Sequence, residues 1–164
     1  MSTATLPNTV PGSGIVPFTV DMHVRWADVD ANGHMRTVAY LEWCEDSRMQ
    51  FFASVGFPMT EFARLGIGPV IQNDELRYRA EMRLLDAGTI ELTMDALADD
   101  GSRFRMRNDV RRVDGTVAAT VLSNGGWLDL AHRRLTVPPA ALLNALLALP
   151  RSSAFEALPN RRTP

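Results

Sequence analysis

One cysteine, Cys44, is all the chain has in 164 residues, so no internal disulfide is available to staple it. Neither sign of charge dominates. The 17 basic and 19 acidic side chains leave a net charge of −2 and are mixed along the sequence, which argues against a broad basic surface and against nucleic acid as a partner. Long hydrophobic runs are missing too. The longest aliphatic stretch, Ala140 to Leu149, is broken by Asn144 and falls far short of the roughly 20 residues that span a bilayer. Residues 1–18 carry neither the basic start nor the apolar run of an export signal, and with the lone thiol this gives the expectation of a soluble, cytoplasmic protein with no membrane association. No Gly-x-Ser-x-Gly elbow occurs, Gly66-Ile67-Gly68 lacks the last glycine of a dinucleotide loop, and His23 and His132 show no ligand spacing with acids or Cys44. A serine nucleophile, a nucleotide cofactor and a metal are therefore all unexpected.

What is present is enough apolar material, 46% of the residues, for one well-buried core. Residues 1–16, rich in Thr, Pro, Ser and Gly, read as a flexible arm. From Phe18 the period is two: Phe18, Val20, Met22, Val24 and Trp26 alternate with Thr19, Asp21, His23 and Arg25, which predicts a half-buried strand. An Asp/Asn/Gly segment at 28–34 ends it. Thr37 to Val55 then carries a helical stripe of Tyr40, Leu41, Cys44, Phe51 and Phe52, with Thr37 as the expected cap and Gly56 and Pro58 as the stop. Val38, Trp43 and Met49 lie off that stripe, so the helix is expected to be largely enclosed. A short helical turn over Pro58 to Leu65 is followed by four strands around Leu76–Ala80, Ile90–Asp95, Arg103–Arg107 and Val117–Trp127, joined by turns at Asp86-Ala87-Gly88, Asp100-Gly101 and Asp114-Gly115. A last helix is expected over Ala140 to Leu149, then a mobile Pro/Arg-rich tail.

The predicted class is α+β, a five-stranded mostly antiparallel sheet curled around one long helix. Its segments are the arm, a domain over 17–137 and a helical extension with tail over 138–164. One helix cannot cover both faces of five strands, which favours a homo-oligomer built on two-fold symmetry. A monomer with a wet outer face is the alternative.

The chemistry concentrates in Asp28-Val29-Asp30-Ala31-Asn32-Gly33-His34, placed just before the long helix. A helix start offers unpaired N–H groups and a partial positive charge, so a neighbouring acid stays ionised while a free N–H can hold a developing oxyanion. Taken alone, Asp30 could equally be a loop or capping carboxylate.

The block Arg25-Trp26-Ala27-Asp28-Val29-Asp30-Ala31-Asn32-Gly33-His34, with Tyr40 and the helix through Glu45 and Arg48, resembles the hotdog-fold acyl-CoA thioesterases of the 4-hydroxybenzoyl-CoA thioesterase type, over roughly residues 17–130. The resemblance implies metal-free thioester hydrolysis. It places the catalytic carboxylate on Asp30, as general base or as nucleophile through a mixed anhydride, and an oxyanion-binding backbone N–H around Thr37. It further implies an acyl-CoA substrate, with an acyl-carrier-protein thioester open as well, no cofactor beyond the CoA of the substrate, and a site at the interface of a homodimer or dimer of dimers. His34 could orient the carboxylate, bond the thioester carbonyl or stabilise the loop. Asp28, Gly33, Arg36 and Tyr40 are the remaining site candidates, Asp28 more as an anchor than a reactant, although a second close carboxylate could raise one pKa. Where many relatives have Asn-Asn this chain has Arg36-Thr37, and Arg36 could favour an anionic or polar acyl group. Glu45 reads as a solvated helix position and Cys44 as core. The arginines at 103, 105, 107, 111 and 112 could meet the nucleotide end of CoA or form a solvated strand face. Two other functions remain open: a hotdog hydratase or dehydratase, whose Asp-x-Asn-Pro-x-His pattern is one residue longer than Asp30–His34, and a non-catalytic acyl-thioester-binding protein.

Overall fold

The computed structural model describes residues 16–160; the proposed arm lies almost wholly outside them. Seven strands share one sheet: β1 (Phe18–His23), β2 (Ile67–Tyr78), β3 (Ala87–Ala98), β4 (Arg103–Arg112), β5 (Val117–Asp129), β6 (Arg134–Thr136) and β7 (Arg151–Leu158). The main path runs β1-β3-β4-β5-β2, antiparallel at every step, with β6 on β5 and β7 parallel to β3. The helices are α1 (Thr37–Ser54), α2 (Met59–Leu65) and α3 (Ala140–Ala148). The Asp-Gly turns behave as their chemistry demands, Gly101 and Gly115 taking positive φ of 69° and 84° between β3, β4 and β5.

Buried residues of α1 fall at Ala39, Tyr40, Cys44, Ser47, Arg48, Phe51 and Phe52, one stripe at helical spacing that faces the sheet. Two apolar clusters form beneath it. Tyr40, Cys44, Met82, Ile90, Val110 and Val121 fill one, while Phe52, Phe62, Phe104 and Trp127 centre the other. Phe52 meets Trp127 edge to face at 5.6 Å, and the indole N–H donates to the Gly101 carbonyl at 3.0 Å, so the largest core side chain is fully satisfied. Ser47 and Arg48 lie between the clusters along the helix. At Gly125 a Cβ would run into the Val70 carbonyl oxygen and the Phe104 ring, so β5 passes β2 there only because it has no side chain.

Several expectations are corrected. The sheet has seven strands, not five. The tail is not loose between Pro150 and Leu158: Met94 donates to the Pro150 carbonyl at 2.8 Å, β7 runs beside β3, and Ser152 and Arg105 both bond the buried Asp95 carboxylate. Leu142, Leu146 and Leu149 join the aromatic cluster, which ties the extension to the core. Strand β1 stops at His23, and a 3-10 turn over Trp26–Asp28 swings Trp26 out to 80% exposure instead of continuing the alternation. Asp28 is drawn inward at the same step. Finally, α1 is covered on one side only, since Glu42, Glu45, Asp46 and Gln50 are exposed and Val38 is 46% exposed.

Candidate active site

The entry to α1 is built from the inside out. Asp28, fully buried, accepts from the Arg25 main-chain N–H at 2.9 Å, from the Arg25 guanidinium at 2.9 and 2.8 Å, and from the Trp43 indole at 3.1 Å. The Arg25 guanidinium beside it holds this carboxyl at about 2. The Arg25 guanidinium also lies 4.7 Å over the Trp43 ring, so one strand end, one turn and one helix are locked together. With its bonds all internal, Asp28 is an anchor, and no face of it is left for a ligand.

Asp30 sits at the tip that this anchor positions. Its backbone exchanges bonds with His34 and Gly33: Asp30 N–H donates to the His34 carbonyl at 2.9 Å, and Gly33 N–H to the Asp30 carbonyl at 3.1 Å. Gly33 takes φ +77°, which closes the turn. One carboxylate oxygen, Oδ1, accepts from the N–H groups of Asn32 (2.8 Å) and His34 (3.3 Å). The side chain faces solvent. The Asn32 N–H holds the Asp30 pKa below the ordinary carboxylate range, with the His34 N–H assisting. No raised pKa results from the two neighbouring acids, because β1 has ended and the two carboxylates no longer share a strand face.

The other candidates surround this turn. The half-buried His34 directs Nε2 to Glu81 at 3.1 Å, while its main chain holds Asp30. Met35 N–H donates to Met82 at 2.7 Å and Arg36 N–H to Asp28 at 2.7 Å, tying the turn to the segment before β3 and to itself. Thr37 does not cap α1. Arg36 occupies the cap position with extended backbone and no side-chain capping bond, and Thr37 is the first helical residue. Among the described residues the N–H groups of Thr37 and Val38 therefore meet no acceptor. The Arg36 guanidinium is engaged by the Ala27 carbonyl (3.0 Å) and Glu42 (3.1 Å), so it clamps the loop. Tyr40 is buried, its phenol pushed up by desolvation, and packs edge to face on Tyr78, whose hydroxyl donates to the Thr37 carbonyl at 3.2 Å.

Cys44 is fully buried, and burial pushes its thiol up to about 12, which leaves no thiolate for chemistry. Three of the five arginines of the row are closed in ion pairs, Arg105 with Asp95 and Glu156, Arg107 with Asp109 and Arg111 with Glu91, while Arg112 reaches Asp114 only at 3.9 Å and Arg103 Nε is buried without a partner among the described residues. Arg25, Trp43, Glu81 and Tyr78 are the supporting residues that sequence reasoning missed. Only the Arg25–Asp28 spacing carried a signal for them.

A family model, that of the thioesterase-like superfamily, matches residues 24–146, three quarters of the chain and all of the site just described. The chain belongs to the thioesterase-like superfamily. A curated relative, "Putative esterase" of Aquifex aeolicus, is 25% identical over 125 residues, covering 74% of this chain and 98% of its own. Among solved structures, a Staphylococcus aureus protein in complex with CoA superposes with TM-score 0.75 at 22% identity, covering 85% of this chain and 90% of that one. The 1,4-dihydroxy-2-naphthoyl-CoA thioesterase of Synechocystis gives TM-score 0.72 at 17% identity over 79% and 95% of the two chains. The solved neighbours show that this member of the thioesterase-like superfamily has the hotdog fold. The family match ends at residue 146, so β7 lies beyond it.

Proposed function

We propose that this thioesterase-like protein hydrolyses an acyl-CoA, or an acyl-carrier-protein thioester, to the free acid and thiol, with Asp30 as the reacting carboxylate. The observation that carries the reading is the pairing of an exposed, ionised carboxylate with a helix start whose first N–H groups have no acceptor. In the nucleophilic route Asp30 Oδ2 attacks the thioester carbon, the C–S bond breaks, the thiolate leaves and is protonated, and water cleaves the resulting anhydride. In the other route Asp30 takes the proton of a water as that water attacks. Both generate an oxyanion, which the N–H groups near Thr37 hold; loss of one such donor typically costs about 10²–10³ in turnover. Single turnover in ¹⁸O-water tests the nucleophilic route: label on Asp30 marks an anhydride that water opened at the Asp30 carbonyl, and trapping the acyl-enzyme with hydroxylamine detects an anhydride opened at the acyl carbonyl.

His34 orients the turn through its main chain while its imidazole pairs with Glu81, an arrangement that gives no support to the Asp/His chemistry of a hydratase. The CoA held by the staphylococcal neighbour favours CoA as the thiol carrier. The functional unit is proposed as a homodimer, or a dimer of dimers, that completes the cleft around the turn. Thiol release from a panel of acyl-CoAs is the test. Asp30→Asn should lower kcat by about 10²–10⁴-fold with the fold intact, whereas full turnover by the variant would remove Asp30 from the chemistry. Binding of acyl-CoA without thiol release would make the protein a sensor.

A further inference from the structure

Tyr78, the last residue of β2, ties the sheet to the entry of α1, and the chemistry at Asp30 makes no direct use of it. Its ring packs edge to face on Tyr40 at 5.5 Å, and its hydroxyl donates to the Thr37 carbonyl at 3.2 Å. Tyr40 is buried in α1 one turn after Thr37, so the two contacts grip the first turn of the helix from one side. Among the described residues no other side chain bonds the main chain of that turn. The place of Tyr78 is itself fixed: it stands opposite Ala119 of β5, and just beyond it the N–H groups of Arg79 and Ala80 both donate to the Ala118 carbonyl.

The carbonyl that Tyr78 holds belongs to the same planar peptide as the Val38 N–H. That N–H is one of the two at the helix start that meet no acceptor, and it points out of the N-terminal end, opposite to its carbonyl. A carbonyl oxygen has two lone pairs, so it takes the hydroxyl beside its ordinary helical partner. Each bond it accepts draws electron density toward the oxygen and leaves the N–H of that peptide a better donor. The Thr37 N–H has no such support. Its peptide carries the Arg36 carbonyl, which takes the Ala39 N–H at 3.0 Å and no side chain.

We propose that Tyr78 is a positioning residue of the hydrolysis: its hydroxyl aligns and polarises the Thr37–Val38 peptide and makes the Val38 N–H the stronger of the two oxyanion donors. The inference rests on the hydrolytic reading above and adds to it a residue of the edge strand that acts through the peptide and not on the substrate. Loss of a whole oxyanion donor costs about 10²–10³ in turnover and a bond in series strengthens another by about 10–30%, so the hydroxyl contributes about 2–8-fold to kcat.

Tyr78→Phe removes the hydroxyl and keeps the ring on Tyr40. With an acyl-CoA that wild type cleaves, the variant should lose about 2–8-fold in kcat with KM and melting temperature unchanged. Tyr78→3-fluorotyrosine, assayed in mildly acid buffer where its better-donating hydroxyl is neutral, should exceed wild type in kcat, a gain that a purely structural contact does not give. In ¹⁵N spectra the Val38 amide nitrogen should move upfield in Tyr78→Phe, and by more than that of Thr37, because only the Val38 peptide loses a bond. Wild-type kcat in Tyr78→Phe overturns the inference, as does a lowered kcat that comes with a lowered melting temperature and an unmoved Val38 resonance. An effect confined to KM would make Tyr78 a substrate contact and overturns it too. Should Tyr78→Phe fail to fold, the fluorotyrosine protein decides alone: faster than wild type supports the inference, and no faster overturns it. If wild type releases no thiol from any acyl-CoA, the hydrolytic reading fails instead, and the spectra decide the polarised peptide separately. An upfield Val38 nitrogen then supports it and an unmoved one overturns it.

Discussion

Asp28 and Asp30 stand two residues apart, and what separates their roles is which groups donate to each. Asp28 receives a guanidinium, a main-chain N–H and an indole inside the protein, whereas Asp30 receives two main-chain N–H groups and keeps Oδ2 toward solvent. The Asp-x-Asp spacing was legible in the sequence, and so was the likeness that singles out the second acid. The burial of the first was not, because the alternation of β1 predicts both on one side and only the 3-10 turn over Trp26–Asp28 separates them. A stability consequence follows from the direction of the Asp28 shift. Its folded pKa, about 2, lies below the ordinary 3.8, so its contribution is fully present above pH 3.8 and is lost as pH falls toward 2. The shift corresponds to about 2 kcal/mol, an order-of-magnitude figure. Urea unfolding of wild type and Asp28→Asn should show the variant weaker at neutral pH by at least about that much, because Arg25 also loses its partner, with the difference shrinking on acidification. A gap that stays constant with pH would show that the carboxylate charge is not what holds the turn.

At the scale of elements, the turn and the C-terminal extension make separable demands. Gly33 has φ +77°, and no atom lies within 4 Å of where a Cβ would stand, so Gly33→Ala tests backbone conformation alone. It should cost about 1–2 kcal/mol and move Asp30, lowering kcat more than it lowers the melting temperature. If turnover stays at the wild-type value, the turn is not what positions the carboxylate. The extension was half legible. Leu142, Leu146 and Leu149 announce a helix with an apolar stripe, but Arg151–Leu158 offers no β-branched residue and little alternation, and its pairing comes from tertiary partners: the Asp95 carboxylate and the free edge of β3 beyond β1. Leu146→Ala removes a fully buried side chain from the aromatic cluster and should cost about 2–5 kcal/mol in chemical denaturation. A cost below about 1 kcal/mol would mean that α3 is not part of the cooperative core.

For the whole molecule the question is which surface needs a second copy. The outer sheet face does not: Arg105, Arg107 and Arg111 are closed against Asp95, Asp109, Glu91 and Glu156, and such a face is content in water. The edges differ from one another. β1 is six residues long and carries Asp21 and His23, which blunts it, but β2 is twelve residues long, pairs with β5 on one side only, and has no charge from Ile67 to Asn73. Its outward main-chain groups are a template for antiparallel pairing about a two-fold axis. Pairing there leaves the ion-paired outer face wet, so a dimer is favoured over a larger assembly. Light scattering should report a mass of about twice the 18.1 kDa chain, and activity per chain should fall on dilution as the dimer dissociates. Activity proportional to concentration down to a demonstrated monomer would show that each chain holds a complete site, and β2 would then need another reason for staying uncovered.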